Sequence, residues 1–305
     1  MSTMKTQVED HKVEKFVREL FQNDSLTLHR ISDGELAQAF FFDLPDGPRV
    51  IRVRLGSNTG FLKDQFAFEH FSSGALPIPR ITQIGEIEDE LFYAISERAP
   101  GKPLDQFSHD EINSLVPEII SRLDTIHEVK PAGGGYGTWD LTGQGEFGSW
   151  REAVSANLQL DDDETKSAEF YDNSLVAGLH TEISALLKFI PEERVLLHSD
   201  YGFNNALSDG KRITGVIDWE NSGYGDYMFD VAWLDFWVDS QGYAKAFEEH
   251  YAKQNRNVSH FNERLACYKL VIGLGSLGFF ARSRQREKYE FVQEVIGRIR
   301  HTLTA

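Results

Sequence analysis

The hydrophobic period of this chain changes once, at Pro100-Gly101-Lys102-Pro103, and that change restricts what it can fold into. Before it, apolar residues alternate or run in short blocks. Ala39-Phe40-Phe41-Phe42 and Arg49-Val50-Ile51-Arg52-Val53 flank Pro45-Asp46-Gly47, a pattern that predicts a hairpin. Ile81–Ile84 and Leu91–Ser96 predict two further strands. Val13, Phe16, Val17, Leu20 and Phe21 share one helical face, so a helix over residues 8–22 opens the chain. Phe61–Ser73 predicts a second helix, ended by Gly74 and Pro77. After the break the pattern turns helical, over 109–128, 149–159, 174–189, 228–238, 243–254, 262–280 and 287–302. Gly133-Gly134-Gly135-Tyr136-Gly137 predicts a loop. The expected class is α+β in two lobes, with residues 1–98 built on an antiparallel sheet and residues 99–305 mostly helical.

With 41% hydrophobic residues, 305 residues can bury two cores. There are 31 Lys+Arg against 48 Asp+Glu, a formal net charge of −17. A nucleic-acid binder needs a basic face, so no nucleic-acid partner is expected. The acidity serves solubility and concentrates cations near the surface. Cys267 is the only cysteine, which excludes an intrachain disulfide and a cysteine-rich metal site. Met1–Phe16 is charged and lacks the apolar core of a secretory signal. The longest apolar run, Leu270–Phe280, is about half a membrane span and holds Gly273, Gly275 and Gly278. It predicts a core helix with close-packed neighbours. The expected compartment is the cytoplasm, with no membrane partner.

The chemistry concentrates between Leu196 and Asp230. His198-Ser199-Asp200 is followed by Asn205, then by a turn at Ser208-Asp209-Gly210, then by an apolar run from Ile213 into Asp218-Trp219. Two carboxylates and one amide thus fall in loops at the ends of paired short strands. Phosphoryl transfer needs such a set: one carboxylate to orient the attacking hydroxyl and take its proton, an Asn oxygen and a second carboxylate to hold Mg²⁺ on nucleotide phosphates. Protein kinases use the same order. The plainer reading is that Asp and Asn simply favour turns. His198 is expected to be structural. A cation for the phosphates is sought on the third strand, where Arg52 and Arg54 point away from the buried positions. Asp64 or Glu69 on the following helix is the candidate partner of Arg52, with Asp64 favoured. There is no Walker-type motif and no Gly-x-Gly-x-x-Gly after a strand; only Asp33-Gly34 stands where a phosphate lid would turn.

His198-Ser199-Asp200-Tyr201-Gly202-Phe203-Asn204-Asn205, followed by Val216-Ile217-Asp218-Trp219, resembles the signature of the aminoglycoside phosphotransferase family. Gly60-Phe61, Lys63-Asp64, Ala75–Pro79, Ile84-Gly85-Glu86, Gly101, Ser149-Trp150-Arg151 and Phe236-Trp237 are similar to the members that act on hygromycin B. The resemblance spans about residues 10–275. It implies a protein-kinase-like fold, ATP and Mg²⁺ as cofactors, Asp200 as catalytic base, and Asn205 and Asp218 as metal ligands. Arg52 stands where the wider family has a lysine on the phosphates. Adenine would meet backbone groups near Glu97 and Ala99. The implied partner is a cationic aminoglycoside, with hygromycin B first, and Asp226, Asp230 and Trp237 are the expected acceptor-binding residues. The plainer reading makes Asp226 a helix cap and the other two core residues. A kinase of the same fold for choline, homoserine, a sugar or a macrolide is the alternative. A catalytically silent binding module is a third reading, weakened by the presence of Asp200, Asn205 and Asp218.

Overall fold

The computed structural model describes residues 6, 8–31, 37–156, 158, 163–238 and 241–304. Asp33-Gly34 lies outside the described residues. By contact the chain divides into two compact units, and not by a single cut at 98/99. One holds the chain up to Gln106 together with Phe203–Glu220; the other holds Phe107–Gly202 and the chain from Asn221 on.

The first unit begins with helix α1 (Asp10–Phe21) and an antiparallel sheet of β1 (His29–Arg30), β2 (Gln38–Leu44), β3 (Gly47–Leu55), β4 (Ile81–Glu88) and β5 (Leu91–Glu97), in the order β1-β2-β3-β5-β4. Strands β2 and β3 pair from Gln38↔Val53 to Leu44↔Gly47. The period of two along β3 buries Arg49, Ile51 and Val53 and turns Arg52 and Arg54 to the other face. Phe40, Phe42, Ile51, Val53, Tyr93 and Ile95 form a core with Val13 and Val17 of α1. Each such side chain, fully buried, contributes about 1.5–3 kcal/mol. Helix α2 (Thr59–Phe71) follows β3.

A second, three-stranded sheet explains why 203–220 joins this unit. Strand β6 (Lys102–Pro103) pairs with β10 (Ala206–Ser208), which pairs with β11 (Ile213–Val216). Asp209 makes the intervening turn by accepting from the Lys211 and Arg212 amides at 2.9 and 3.0 Å. Gly101 lets the strands meet. Its φ is +92°, and a Cβ there would lie 2.1 Å from the Ser208 carbonyl oxygen.

The second unit carries α3 (His109–Glu128), opened by a capping box of Ser108 and Glu111. It continues through β7 (Tyr136–Trp139), β8 (Gly145–Phe147), α4 (Trp150–Ala156), α5 (Asp163–Lys166), α6 (Asn173–Leu186) and β9 (Val195–Leu197). It ends with β12 (Gly223–Gly225), α7 (Met228–Trp237), α8 (Tyr243–Lys253), α9 (Phe261–Arg282) and α10 (Arg286–Thr304). The strands form a sheet in the order β8-β7-β12-β9. The glycine-rich stretch departs from expectation, because β7 starts inside it at Tyr136. The Arg194 guanidinium gathers the carbonyls of Gly133, Gly134 and Gly135. A Cβ at Gly135, whose φ is +73°, would lie 2.3 Å from the Gly145 carbonyl, so only glycine permits that approach. Helix α9 is long and apolar enough to cross a bilayer, yet most of its apolar window is buried inside the protein. It packs on α6, α7 and α10. A Cβ on Gly273 would approach Ile296 to 2.9 Å and Phe236 to 3.3 Å, the close packing its glycines predicted.

Gly101→Ala is expected to destabilise the protein by about 2–4 kcal/mol, through a left-handed backbone and a clash with Ser208. Chemical denaturation of the variant beside the wild type checks this. An unchanged midpoint would mean that the β6–β10 contact is not needed for stability.

Candidate active site

All six of the expected nucleotide and metal residues lie in the first unit, and the antiparallel pairing explains how Asn205 and Asp218 come together. In β10 and β11, Ala206 faces Val216, and the Ile217 amide donates to the Asn205 carbonyl at 2.9 Å. That pairing sets Asn205 beside the residue preceding Asp218. Asn205 is buried. Asp218 leaves the strand with φ +65°, a conformation uncommon outside glycine. Such backbone strain concentrates at functional sites.

The turn containing Asp218 is held from α2. One oxygen of the Asp64 carboxylate accepts from the Trp219 amide at 2.8 Å, and the other accepts from the Arg52 guanidinium at 2.5 Å. The expected Arg52–Asp64 pair therefore exists, whereas Glu69 accepts instead from Gln65 on the surface. Arg52 also lies over the Phe61 ring, 5.1 Å from its centroid. Burial alone would lower the Arg52 guanidinium, but Asp64, Asp218 and Glu220 hold it above its ordinary value. Burial, with Asp64 adding to it and Arg52 opposing, pushes the Asp218 carboxyl up to about 6.

Sequence reasoning assigned Lys63 and Arg54 no role and did not reveal Glu220. The Lys63 ammonium donates to the Glu220 carbonyl at 2.5 Å, and the Arg54 guanidinium meets the Glu220 carboxylate at 2.6 Å. Burial lowers Lys63 to about 8, although Glu220 and Asp64 pull it upward. A signal was present: Gly60, Lys63, Asp64, Ala67 and Phe71 fall on the buried stripe of α2, where charge is costly without a partner.

Asp200 lies in the second unit, on the loop after β9, and is half-buried. Its loop is anchored by Asp230. One Asp230 oxygen accepts from the Ser199 amide at 2.7 Å; the other accepts from the His198 amide at 3.1 Å. The His127 imidazole lies 3.0 Å from that second oxygen. Ser199 has φ +64° and Gly202 φ +109°, and a Cβ on Gly202 would strike Leu234 at 2.5 Å. His198 is fully buried, as its expected structural role requires.

These contacts correct two acceptor assignments. Asp230 is fully buried and holds the loop of Asp200, so its oxygens are committed. Asp226 is also fully buried. It binds Arg264 through both oxygens, accepts from Tyr268 Oη at 2.6 Å and takes the Met228 amide at the start of α7. Neither carboxylate is offered to an ammonium group of a ligand. Trp237 is half-buried beside Phe236, Phe280 and Phe291. Glu97 gives its amide to the Arg80 carbonyl, and Ala99 lies against Gly215.

The donor set of the first unit suits Mg²⁺. Asn205 and Asp218 supply hard oxygen donors, and Mg²⁺ uses few protein ligands when phosphates and waters complete its shell. Among the described residues no group of three or more His, Cys, Asp or Glu forms a cage of its own. An Asp218 carboxyl raised by burial and by a second carboxylate gains from a cation beside it.

The profile of a phosphotransferase enzyme family, APH, matches residues 27–261. Hygromycin-B 4-O-kinase of Escherichia coli is 33% identical over 273 residues, which cover 87% of this chain and 77% of that protein. A crystal structure of a thermostable mutant of aminoglycoside phosphotransferase APH(4)-Ia, in ternary complex with AMP-PNP and hygromycin B, superposes with a TM-score of 0.83 at 30% identity. It covers 94% of this chain and 97% of its own. The GDP and kanamycin complex of an APH(2") enzyme matches with a TM-score of 0.70 at 12% identity, over 96% and 99% of the two chains, a likeness of fold alone. The α+β fold is thus protein-kinase-like, as the family resemblance implied.

The raised Asp218 carboxyl has a stability consequence. Between its ordinary value near 4 and about 6, the folded protein binds a proton that the unfolded chain has lost. The contribution of Asp218 to stability therefore falls as pH rises through that window and stays lost above it. In EDTA, Asp218→Asn is expected to match the wild type near pH 4 and to exceed it by about 1–3 kcal/mol near pH 7.5. Denaturant titrations at both pH values check this. A gap that does not change with pH would show that the folded carboxyl is not raised.

Proposed function

The chain belongs to the APH phosphotransferase enzyme family, and on that footing we propose that it is an ATP- and Mg²⁺-dependent kinase that phosphorylates a hydroxyl of an aminoglycoside, hygromycin B. The observations that carry the reading are, in the second unit, the anchored loop of Asp200 and, in the first, Asn205 and the Asp218 turn with an Arg52 whose charge is held by Asp64. Mg²⁺, when bound, neutralises charge on the donor phosphates. Asn205 and Asp218 are the residues that hold it. Arg52 meets the phosphates as a fixed cation, since its partner keeps it protonated and oriented. Backbone groups of Glu97 and Ala99 receive the adenine.

Asp200 accepts the hydrogen of the acceptor hydroxyl. The hydroxyl oxygen then bonds to the γ-phosphorus, the bond from that phosphorus to the β-bridging oxygen breaks, and its electron pair leaves with ADP. The Asp230 carboxylate does not take part in this exchange; it fixes the backbone that carries Asp200. Of the acceptor residues expected from sequence, Trp237 remains in the proposal, as a ring for a sugar face to stack on. The net charge of −17 draws polycationic antibiotics generally and selects none of them. Selection falls to hydrogen bonds with particular hydroxyls, where a missing partner costs roughly 1–3 kcal/mol. The same reading places the enzyme in the cytoplasm, where ATP is supplied.

Asp200→Ala is expected to lower turnover by on the order of 10²–10⁴ with little change in nucleotide affinity. Near-normal turnover by the folded variant would remove Asp200 from the mechanism. The acceptor is tested by coupled nucleotide turnover with hygromycin B, kanamycin, a macrolide and choline, followed by product mass. Hygromycin B should gain one phosphoryl group and kanamycin little or none. Turnover with choline or the macrolide alone would keep the kinase chemistry and discard the aminoglycoside.

A further inference from the structure

Glu220 lies two residues after Asp218 and is gripped at both ends. Lys63 takes its carbonyl at 2.5 Å and Arg54 its carboxylate at 2.6 Å. The grip is built around Gly60. A Cβ there would lie 2.7 Å from the Glu220 carboxylate and 2.9 Å from the Arg54 guanidinium. Helix α2 therefore has a glycine in its first turn, although alanine is the better helix former. Lys63 is 3% exposed. Filling that space with apolar atoms needs only a methionine, whereas burying an ammonium carries a desolvation cost. The gain from the charge is positional.

The neighbouring residue is held from the same helix, by Asp64 on the Trp219 amide at 2.8 Å. Residues 219 and 220 are thus fixed through one amide, one carbonyl and one carboxylate, all from α2 and β3. Asp218 itself sits in the left-handed region, which a non-glycine residue keeps only when its surroundings over-determine it. We propose that Lys63 and Arg54, in the space left by Gly60, are positioning residues that hold the Asp218 turn in its metal-binding conformation. The proposal rests on the reading of Asp218 as a Mg²⁺ ligand. It assigns metal affinity partly to residues that touch neither metal nor nucleotide, as supporting contacts around metal ligands commonly do.

The test uses the full chain and a non-hydrolysable ATP analogue, with nucleotide affinity measured across a Mg²⁺ titration and in EDTA. Lys63→Met and Gly60→Ala should each raise the Mg²⁺ concentration that half-completes the gain in affinity by about tenfold. Affinity in EDTA should stay within about twofold, because the phosphate-facing Arg52 keeps its partner. Gly60→Ala keeps every buried charge and improves helix propensity, so it decides the matter if Lys63→Met does not fold. Asp218→Asn, measured in parallel, should lose the Mg²⁺-dependent gain. If it does, while folded Gly60→Ala keeps the wild-type midpoint, the grip on Glu220 is packing alone and the proposal fails. If Asp218→Asn keeps the wild-type midpoint, the metal assignment itself falls and this inference falls with it.

Discussion

One buried carboxylate, Asp64, ties the first unit's chemistry together. A carboxylate taken from water must find hydrogen-bond donors or lose its charge. Asp64 finds two from distant parts of the chain, the Arg52 guanidinium on β3 and the Trp219 amide after β11. The same side chain therefore sets both the Arg52 guanidinium and the turn that carries Asp218. Removing it would take a partner from both the Arg52 guanidinium and the Trp219 amide, and the loss would spread to both. The glycine at position 60 and the lysine at 63 follow from the same arrangement, since α2 must come close to residues 219–220 for Asp64 to reach.

The second unit repeats the device with different residues. Asp230 on α7 spends its two oxygens on consecutive backbone amides, His198 and Ser199, and meets an imidazole from α3. Short loops with left-handed residues do not hold a carboxylate such as that of Asp200 in place by themselves. In both units a buried acid on a helix supplies the rigidity that the loop lacks. Helices are suited to this, because their backbone polar groups are already satisfied and a single side chain can be aimed with little remaining freedom.

The acidic composition looks different once burial is known. Asp226 and Asp230 were expected to meet a cationic acceptor, and Asp235 lies on α7 with Asp230. Each is instead neutralised or saturated from within, Asp226 by Arg264 and Tyr268, Asp230 by two amides and His127, Asp235 by Lys269 and the Ala244 amide. These acids organise the fold, and their charge is compensated before any ligand arrives. The surface carboxylates that remain attract cations over a Debye length but give no geometry.

The sequence alone determined most of the long elements. Periodicity placed α3 at 109–128 and the hairpin of β2 and β3, because apolar spacing at 3.6 or 2 residues is a local property of the chain. The spacing of Asp200, Asn205 and Asp218 could be read as a candidate phosphoryl-transfer set, because turn residues at strand ends need no distant partner to be read. Even Asp64 was visible as a partner for Arg52, being charged and on the next helix. Whether an acid faces solvent or a buried arginine was not legible: Asp226 meets Arg264 across 38 residues, and Asp230 meets His127 across 103. Nor was the return of 203–220 to the first unit, which depends on two residues of β6 pairing with β10. Nor was the role of Glu220, whose partners are 157 and 166 residues away in Lys63 and Arg54. Local pattern fixes backbone form and the direction of a side chain. The charge state and duty of a buried polar group depend on which distant groups folding brings within about 3 Å, and only the tertiary structure decides that.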